Sequence, residues 1–174
     1  MASVQDLEKY WDRLVKLAPG ESMEAIYPWE MPPWDEICAK LRWRLFPVDD
    51  KPFTDKDHGY WGVYRIVALA VDRDLTKPAT LNRICGEDKS GTLYIGRSTS
   101  LHARLNQFQR TLLSKESSHG AAQILKRGGV LHFPPTRLAI ALLFTPECIK
   151  GVERDLIDAY MNSFGDTPPL NYSL

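Results

Sequence analysis

Residues 148–165, CIKGVERDLIDAYMNSFG, place a carboxylate where an apolar side chain belongs. At about 100° per residue, Ile149, Val152, Leu156, Ile157, Tyr160 and Phe164 share one stripe of a helix, and Glu153 falls near its middle. Asp155, Asp158 and Asn162 fall on the opposite side. A buried, unpaired carboxylate is costly or takes up a proton. Glu153 therefore calls for a partner.

Other residues offer chemistry of the same kind. In GVYRIVALAV, Tyr64 shares a face with Ile66 and Ala68; in TLYIG, Tyr94 shares a face with Thr92 and Gly96. If the two strands pair, two phenols meet, although strands favour tyrosine in any case. Gly96 lacks the side chain that would keep another backbone or a phosphate away. Arg104 lies at the border of the apolar stripe Leu101, Leu105, Phe108 and Leu112. That position is the usual place for an arginine snorkelling from a core edge. His119, in SSHG, reads equally as a site histidine or as the cap of a short helix.

These side chains need elements to hold them. Ser3 and Asp6 resemble a capping box opening a helix with Leu7, Trp11, Leu14 and Val15 on its apolar side. Pro33 suits the first turn of a second helix reaching about Leu45, with Ile37, Leu41 and Leu45 in phase. FPVDDKPFTDKDHG is a connector. From Gly62 the order is strand, strand, helix, helix, strand, helix, with a loop at 72–90 between the first two strands. Ser98 to Ser100 offer caps for the first of these helices, Gly128 and Gly129 end the second, and Thr145 and Pro146 open the last. We expect an α+β fold: a helical, tryptophan-rich extension over residues 1–57 and a domain over 58–174 whose first strand pair forms an antiparallel hairpin. All five Trp lie at or before residue 61, which suggests packing or a partner surface.

Composition narrows the setting. No apolar run approaches the roughly 20 residues that span a bilayer, and MASVQDLEKYW does not read as a signal peptide. The three cysteines, Cys38, Cys85 and Cys148, are scattered without zinc spacing, so a reduced, cytoplasmic location and no membrane are expected. Net charge is zero but uneven. Residues 97–137 hold seven basic side chains (Arg97, Arg104, Arg110, Lys115, Lys126, Arg127, Arg137) against one acid, Glu116. Such a block is either a phosphate-binding surface or a solvated basic face.

GVY at 62–64, YIG at 94–96, Arg104 eight residues after that glycine, Glu153 on a late helix after an apolar strand, and Asn171 in PPLN resemble, in order and phase, the GIY-YIG nuclease family over residues 60–174. The resemblance implies a three-stranded antiparallel sheet flanked by helices and a metal-dependent nuclease. It makes Glu153 the metal carboxylate for Mg²⁺ or another divalent ion such as Mn²⁺. It makes Arg104 the clamp on the scissile phosphate, Tyr64 the proton acceptor, Tyr94 a positioning phenol and Asn171 a brace. Two departures stand out: 29 residues separate Tyr64 from Tyr94, and Phe108 replaces a histidine that many members carry one turn after the arginine. His119 falls roughly where some homing-nuclease relatives carry another histidine.

The expected function is a DNA endonuclease, restriction-type or structure-selective, acting on double-stranded DNA and arranged as a homodimer if it cuts both strands. Arg97, Arg104, Arg110, Lys126 and Arg127 are the expected nucleic-acid contacts. The alternatives are a nucleic-acid-binding protein on a degenerate nuclease fold, a nuclease toxin, or an interaction module built on the tryptophan-rich segment.

Overall fold

The computed structural model describes residues 32–50, 60–114, 118–128, 131–144 and 149–171. The helix expected from Ser3, and the Thr145–Pro146 cap, lie outside them. In chain order the elements are α1 (Trp34–Lys40), β1 (Arg44–Pro47), β2 (Gly62–Ala68), β3 (Leu81–Arg83), β4 (Gly86–Asp88), β5 (Thr92–Ser98), α2 (Leu101–Leu113), α3 (Gly120–Arg127), β6 (Leu138–Phe144) and α4 (Ile149–Phe164). The α+β class is as expected. Among the described residues, no helix is long and apolar enough to cross a membrane.

The main sheet has four strands in the order β1-β6-β2-β5, every neighbouring pair antiparallel. All seven residues of β2 are buried, which explains why GVYRIVA shows no polar alternation: the strand lies between two others and is covered on both faces. On one face Tyr64, Ile66, Ile140 and Leu142 pack under α2 and α3, against Leu101, Leu105, Phe108, Ala122 and Leu125. On the other, Val63 and Ile95 meet Val152, Leu156, Ile157 and Tyr160 of α4, with Trp34 and Ile37 of α1.

The fourth strand is a difference from the three expected. The second helix was expected to reach Leu45, but α1 stops at Lys40, Leu41 turns extended, and residues 44–47 pair with β6 instead. Ile37, Leu41 and Leu45 are in helical phase, but so short an apolar run fits a strand equally well, and the edge of β6 supplies the hydrogen bonds that decide it. Residues 72–90 also hold more than a loop, since β3 and β4 form a hairpin. Arg83 Nη2 donates to Asp166 Oδ2 (3.0 Å) and to the Thr167 carbonyl (2.6 Å), and the Cys85 N–H donates to the Phe164 carbonyl (2.9 Å), fixing the hairpin to the end of α4.

Asp155 corrects the helical-wheel expectation. It is 2% exposed, with Oδ1 3.6 Å from Arg154 Nη2. The helix is packed from two directions, by the sheet and by α1, so its buried arc is wider than one apolar stripe.

A buried polar chain joins α1 to the sheet. Arg65 Nη1 donates to Thr92 Oγ1 (3.0 Å) and to Cys38 Sγ (2.7 Å), and its guanidinium lies 4.4 Å from the centre of the Trp43 ring. Thr92 Oγ1 and Ser90 Oγ are 2.8 Å apart. Ser90 Oγ donates to Asp88 Oδ1 (2.6 Å) and accepts from Trp34 Nε1 (2.8 Å). Tyr160 donates to Asp88 Oδ2 (3.1 Å). Two hydroxyls thus link a buried guanidinium to a buried carboxylate, which makes both charges tolerable in the interior.

Candidate active site

The site gathers around the end of β5, and two glycines allow it. Tyr64 of β2 stands opposite Gly96 of β5. A Cβ on Gly96 would lie 2.5 Å from Tyr94 Cε1 and 2.9 Å from both Cζ and Oη of Tyr64. The space expected to admit a backbone or a phosphate is filled by two phenol rings, which corrects the sequence reading of Gly96. Gly62 has a parallel reason: a Cβ there would meet the Leu143 carbonyl oxygen of β6.

The two rings face the α2–α3 side, with centroids 5.8 Å apart. Tyr64 is fully buried. Its Oη lies 3.1 Å from His119 Nε2 and accepts from Arg104 Nε at 3.3 Å. Arg104 reaches it from the first turns of α2. His119 occupies the cap position of α3 but makes no side-chain cap bond; its ring turns inward instead. The ring is held edge-on by Phe108 (5.0 Å, 90°) and by Tyr94 (5.9 Å, 77°). Phe108 therefore walls the imidazole.

Electrostatics fix the protonation states. Burial pushes the Tyr64 phenol up, with Tyr94 adding to it and Arg104 opposing. The lowering by Arg104 is outweighed by burial, so Tyr64 is a neutral phenol. Burial, and then the Arg104 charge, push His119 down to about 4. His119 is neutral at pH 7, and in the tautomer that carries its proton on Nδ1 the bare Nε2 accepts from the Tyr64 hydroxyl.

Glu153 stands on α4, across the sheet from this group. Its Oε2 accepts from Arg97 Nε at 2.6 Å. Burial raises the Glu153 pKa, against Arg97 first and Arg104 second. Arg97 follows Gly96 and pairs with Val63, so the carboxylate and the phenols approach β5 from opposite sides at the same end. Arg104 is the electrostatic link between them. The structure thus answers the carboxylate in the apolar stripe with Arg97, a partner that helical periodicity could not name.

Asn171 braces the site through its amide. Its Oδ1 accepts from the Ile95 N–H (2.9 Å) and its Nδ2 donates to the Ile95 carbonyl (2.7 Å). One side chain imitates a neighbouring strand at the edge of β5, between Tyr94 and Gly96. Gln107 was missed in the sequence. Its Oε1 accepts from Arg104 Nη1 (2.8 Å) and its Nε2 donates to the Ser118 carbonyl (3.0 Å), tying the guanidinium to the segment carrying His119. Its place three residues after Arg104 on a helix was the signal.

Of the other expected nucleic-acid contacts, Lys126 is engaged elsewhere: Nζ donates to the Thr111 carbonyl (3.2 Å) and to the Ser114 carbonyl, satisfying the end of α2. Arg110 and Arg127 are exposed in the last turns of α2 and α3.

No group of three or more His, Cys, Asp or Glu side chains is gathered for a metal among the described residues. A full protein cage does not fit. Mg²⁺ is commonly held through one or two carboxylates with waters and substrate phosphates supplying the rest, and Glu153 is the carboxylate that would hold it here. The chain matches no protein-family model, no curated protein and no solved structure in comparison with each.

Proposed function

We propose that this protein is a metal-dependent DNA endonuclease that hydrolyses phosphodiester bonds, a GIY-YIG-type enzyme of the restriction or structure-selective kind. The observation that carries the reading is the contact of Tyr64 Oη with both His119 Nε2 and Arg104 Nε. A buried phenol between a neutral imidazole and a guanidinium is arranged for proton transfer beside an anion.

The chemistry follows from those contacts. Arg104 binds the scissile phosphate and neutralises charge that grows on it during attack. The attacking water gives a proton to Tyr64 Oη while Tyr64 gives its own to His119 Nε2, so no free phenolate forms in the buried site. Tyr94 walls the water and holds the imidazole. Glu153 would hold a divalent ion, which when bound would supply positive charge to stabilise the leaving oxygen. Arg97, Arg110 and Arg127 add sequence-independent affinity for the backbone. Cutting both strands of a duplex calls for two such sites, hence a homodimer, and the free cysteines Cys38 and Cys85 suit a reducing cytoplasm.

A second reading, a DNA-binding protein without catalysis, draws its support from the Arg97–Glu153 ion pair, which occupies the carboxylate a metal needs. Incubation with supercoiled plasmid and Mg²⁺, Mn²⁺ or Ca²⁺ separates the readings. Discrete bands support restriction, a smear supports a non-specific nuclease, and uncut plasmid under every ion leaves the binding protein.

A further inference from the structure

We propose that Arg97 and a divalent cation compete for Glu153, and that the cation, by taking the carboxylate, releases Arg97 onto a backbone phosphate of the bound DNA. This rests on the nuclease reading and adds to it a coupling between metal and substrate. The starting observation is the 2.6 Å bond from Arg97 Nε to Glu153 Oε2, made between residues 56 positions apart. Both side chains reach solvent, at 39% and 22% exposure, so ion and DNA have access to the pair.

The backbone on either side of the pair is fixed. Arg97 sits in β5, opposite Val63 and directly after the glycine under the two phenols. Glu153 sits within α4, whose neighbours Val152 and Leu156 are buried. Only the long arginine side chain has freedom to leave. The second guanidinium of the region, Arg104, is tied to Tyr64 and Gln107 and already acts on the Glu153 charge. A divalent ion on Glu153 would place three like-charged groups around one carboxylate. Coulomb repulsion falls on the member with the fewest anchors, which is Arg97.

Once displaced, the guanidinium sits beside the cation site with its fork open, the geometry that binds phosphate in two parallel hydrogen bonds. Metal then raises DNA affinity, and DNA raises metal affinity by the same factor. Without metal, Arg97 is held by the carboxylate and its guanidinium is not offered to a phosphate.

Calorimetric titration with Mn²⁺ and fluorescence anisotropy of a labelled mixed-sequence duplex, in EDTA or in Ca²⁺, test the coupling without relying on turnover. Circular dichroism establishes that each variant is folded. Arg97→Gln is expected to bind Mn²⁺ roughly tenfold tighter than the wild type, within the usual range of coupling factors. Ca²⁺ is expected to raise the duplex affinity of the wild type by roughly the same factor and that of Arg97→Gln by much less. Glu153→Gln, which frees Arg97, is expected to bind duplex in EDTA more tightly than the wild type does. Unchanged or weaker Mn²⁺ binding by Arg97→Gln overturns the competition, and if that protein's wild type still cleaves plasmid, the nuclease reading stands alone. Absence of both Mn²⁺ binding and cleavage in the wild type removes the nuclease reading and the coupling with it.

Discussion

At the scale of single residues, the structure brings two candidate bases, Tyr64 and His119, into contact at 3.1 Å, and the proposed reading makes them one relay. Burial disfavours a charge on Tyr64, so in the proposed mechanism His119 takes the phenol proton. Tyr64→Phe is expected to lose roughly two or more orders of magnitude in cleavage rate, the span for loss of a proton-transfer group. His119→Gln is expected to lose nearly as much, and Tyr94→Phe less, because the ring that walls the water and the imidazole is kept. A fully active Tyr64→Phe enzyme removes the relay. The same histidine makes a prediction about stability. Its folded pKa, about 4, lies below the ordinary 6.5. Between these values the unfolded chain binds the proton more readily, so this stability contribution is present above about 6.5 and is lost as pH falls through 4. Wild-type unfolding free energy should drop relative to His119→Asn by up to about 3 kcal/mol between pH 7 and 4, read from urea unfolding at several pH values. A difference between the two proteins that stays constant with pH would show that His119 is not held neutral by the fold.

At the scale of elements, the end of β5 depends on two small devices. Gly96→Ala would drive a methyl into Tyr94 and Tyr64, rings held by their own strands. It is expected to cost about 1–3 kcal/mol, the usual range for overpacking, and to lower the cleavage rate disproportionately because the phenols themselves shift. Asn171→Ala would orphan the N–H and carbonyl of Ile95. Asn171→Asp would keep the acceptor but set a buried carboxylate oxygen against the Ile95 carbonyl, so near pH 7 it should melt no higher than alanine in thermal denaturation. Equal melting temperatures for all three would mean that water replaces the amide at no cost. Much of this region is legible in the sequence. The two-residue alternation places Tyr64 and Tyr94 on one face, and apolar phase identifies α2 and α4. Arg97 as the partner of Glu153 is not legible, because helical phase shows that a carboxylate is displaced and not which distant side chain meets it. The same holds for β1: four residues become a strand only because β6 offers an edge. The inward turn of His119 depends on Phe108 and Tyr64, neither of which its own neighbourhood reveals.

At the scale of the whole molecule, the question is where the folding unit begins. The change in composition at Gly62 suggests a domain from residue 58, with the preceding residues as an extension. In the structure, β1 is hydrogen-bonded to β6 over four residue pairs, Phe46 and Val48 are buried under α2, and Trp34 is fully buried against Tyr160. Arg65, in the centre of the sheet, contacts Cys38, Trp34 and Trp43, all contributed by residues before 58. Removing them would expose the edge of β6 and the apolar face of α4, and would leave a buried guanidinium without half of its surroundings. A chain of residues 58–174 is therefore expected to lack a cooperative unfolding transition and to aggregate, whereas the full chain unfolds cooperatively. Within the full chain, Trp34→Ala is expected to cost about 3–5 kcal/mol, the range for a buried aromatic truncated to alanine. The two measurements check each other. If residues 58–174 melt cooperatively at the urea midpoint of the full chain, and Trp34→Ala is neutral, then α1 and β1 are an appendage and the sheet needs only three strands. If both are severe, the tryptophan-rich segment is core, and the surface on which α1 docks is closed to any partner.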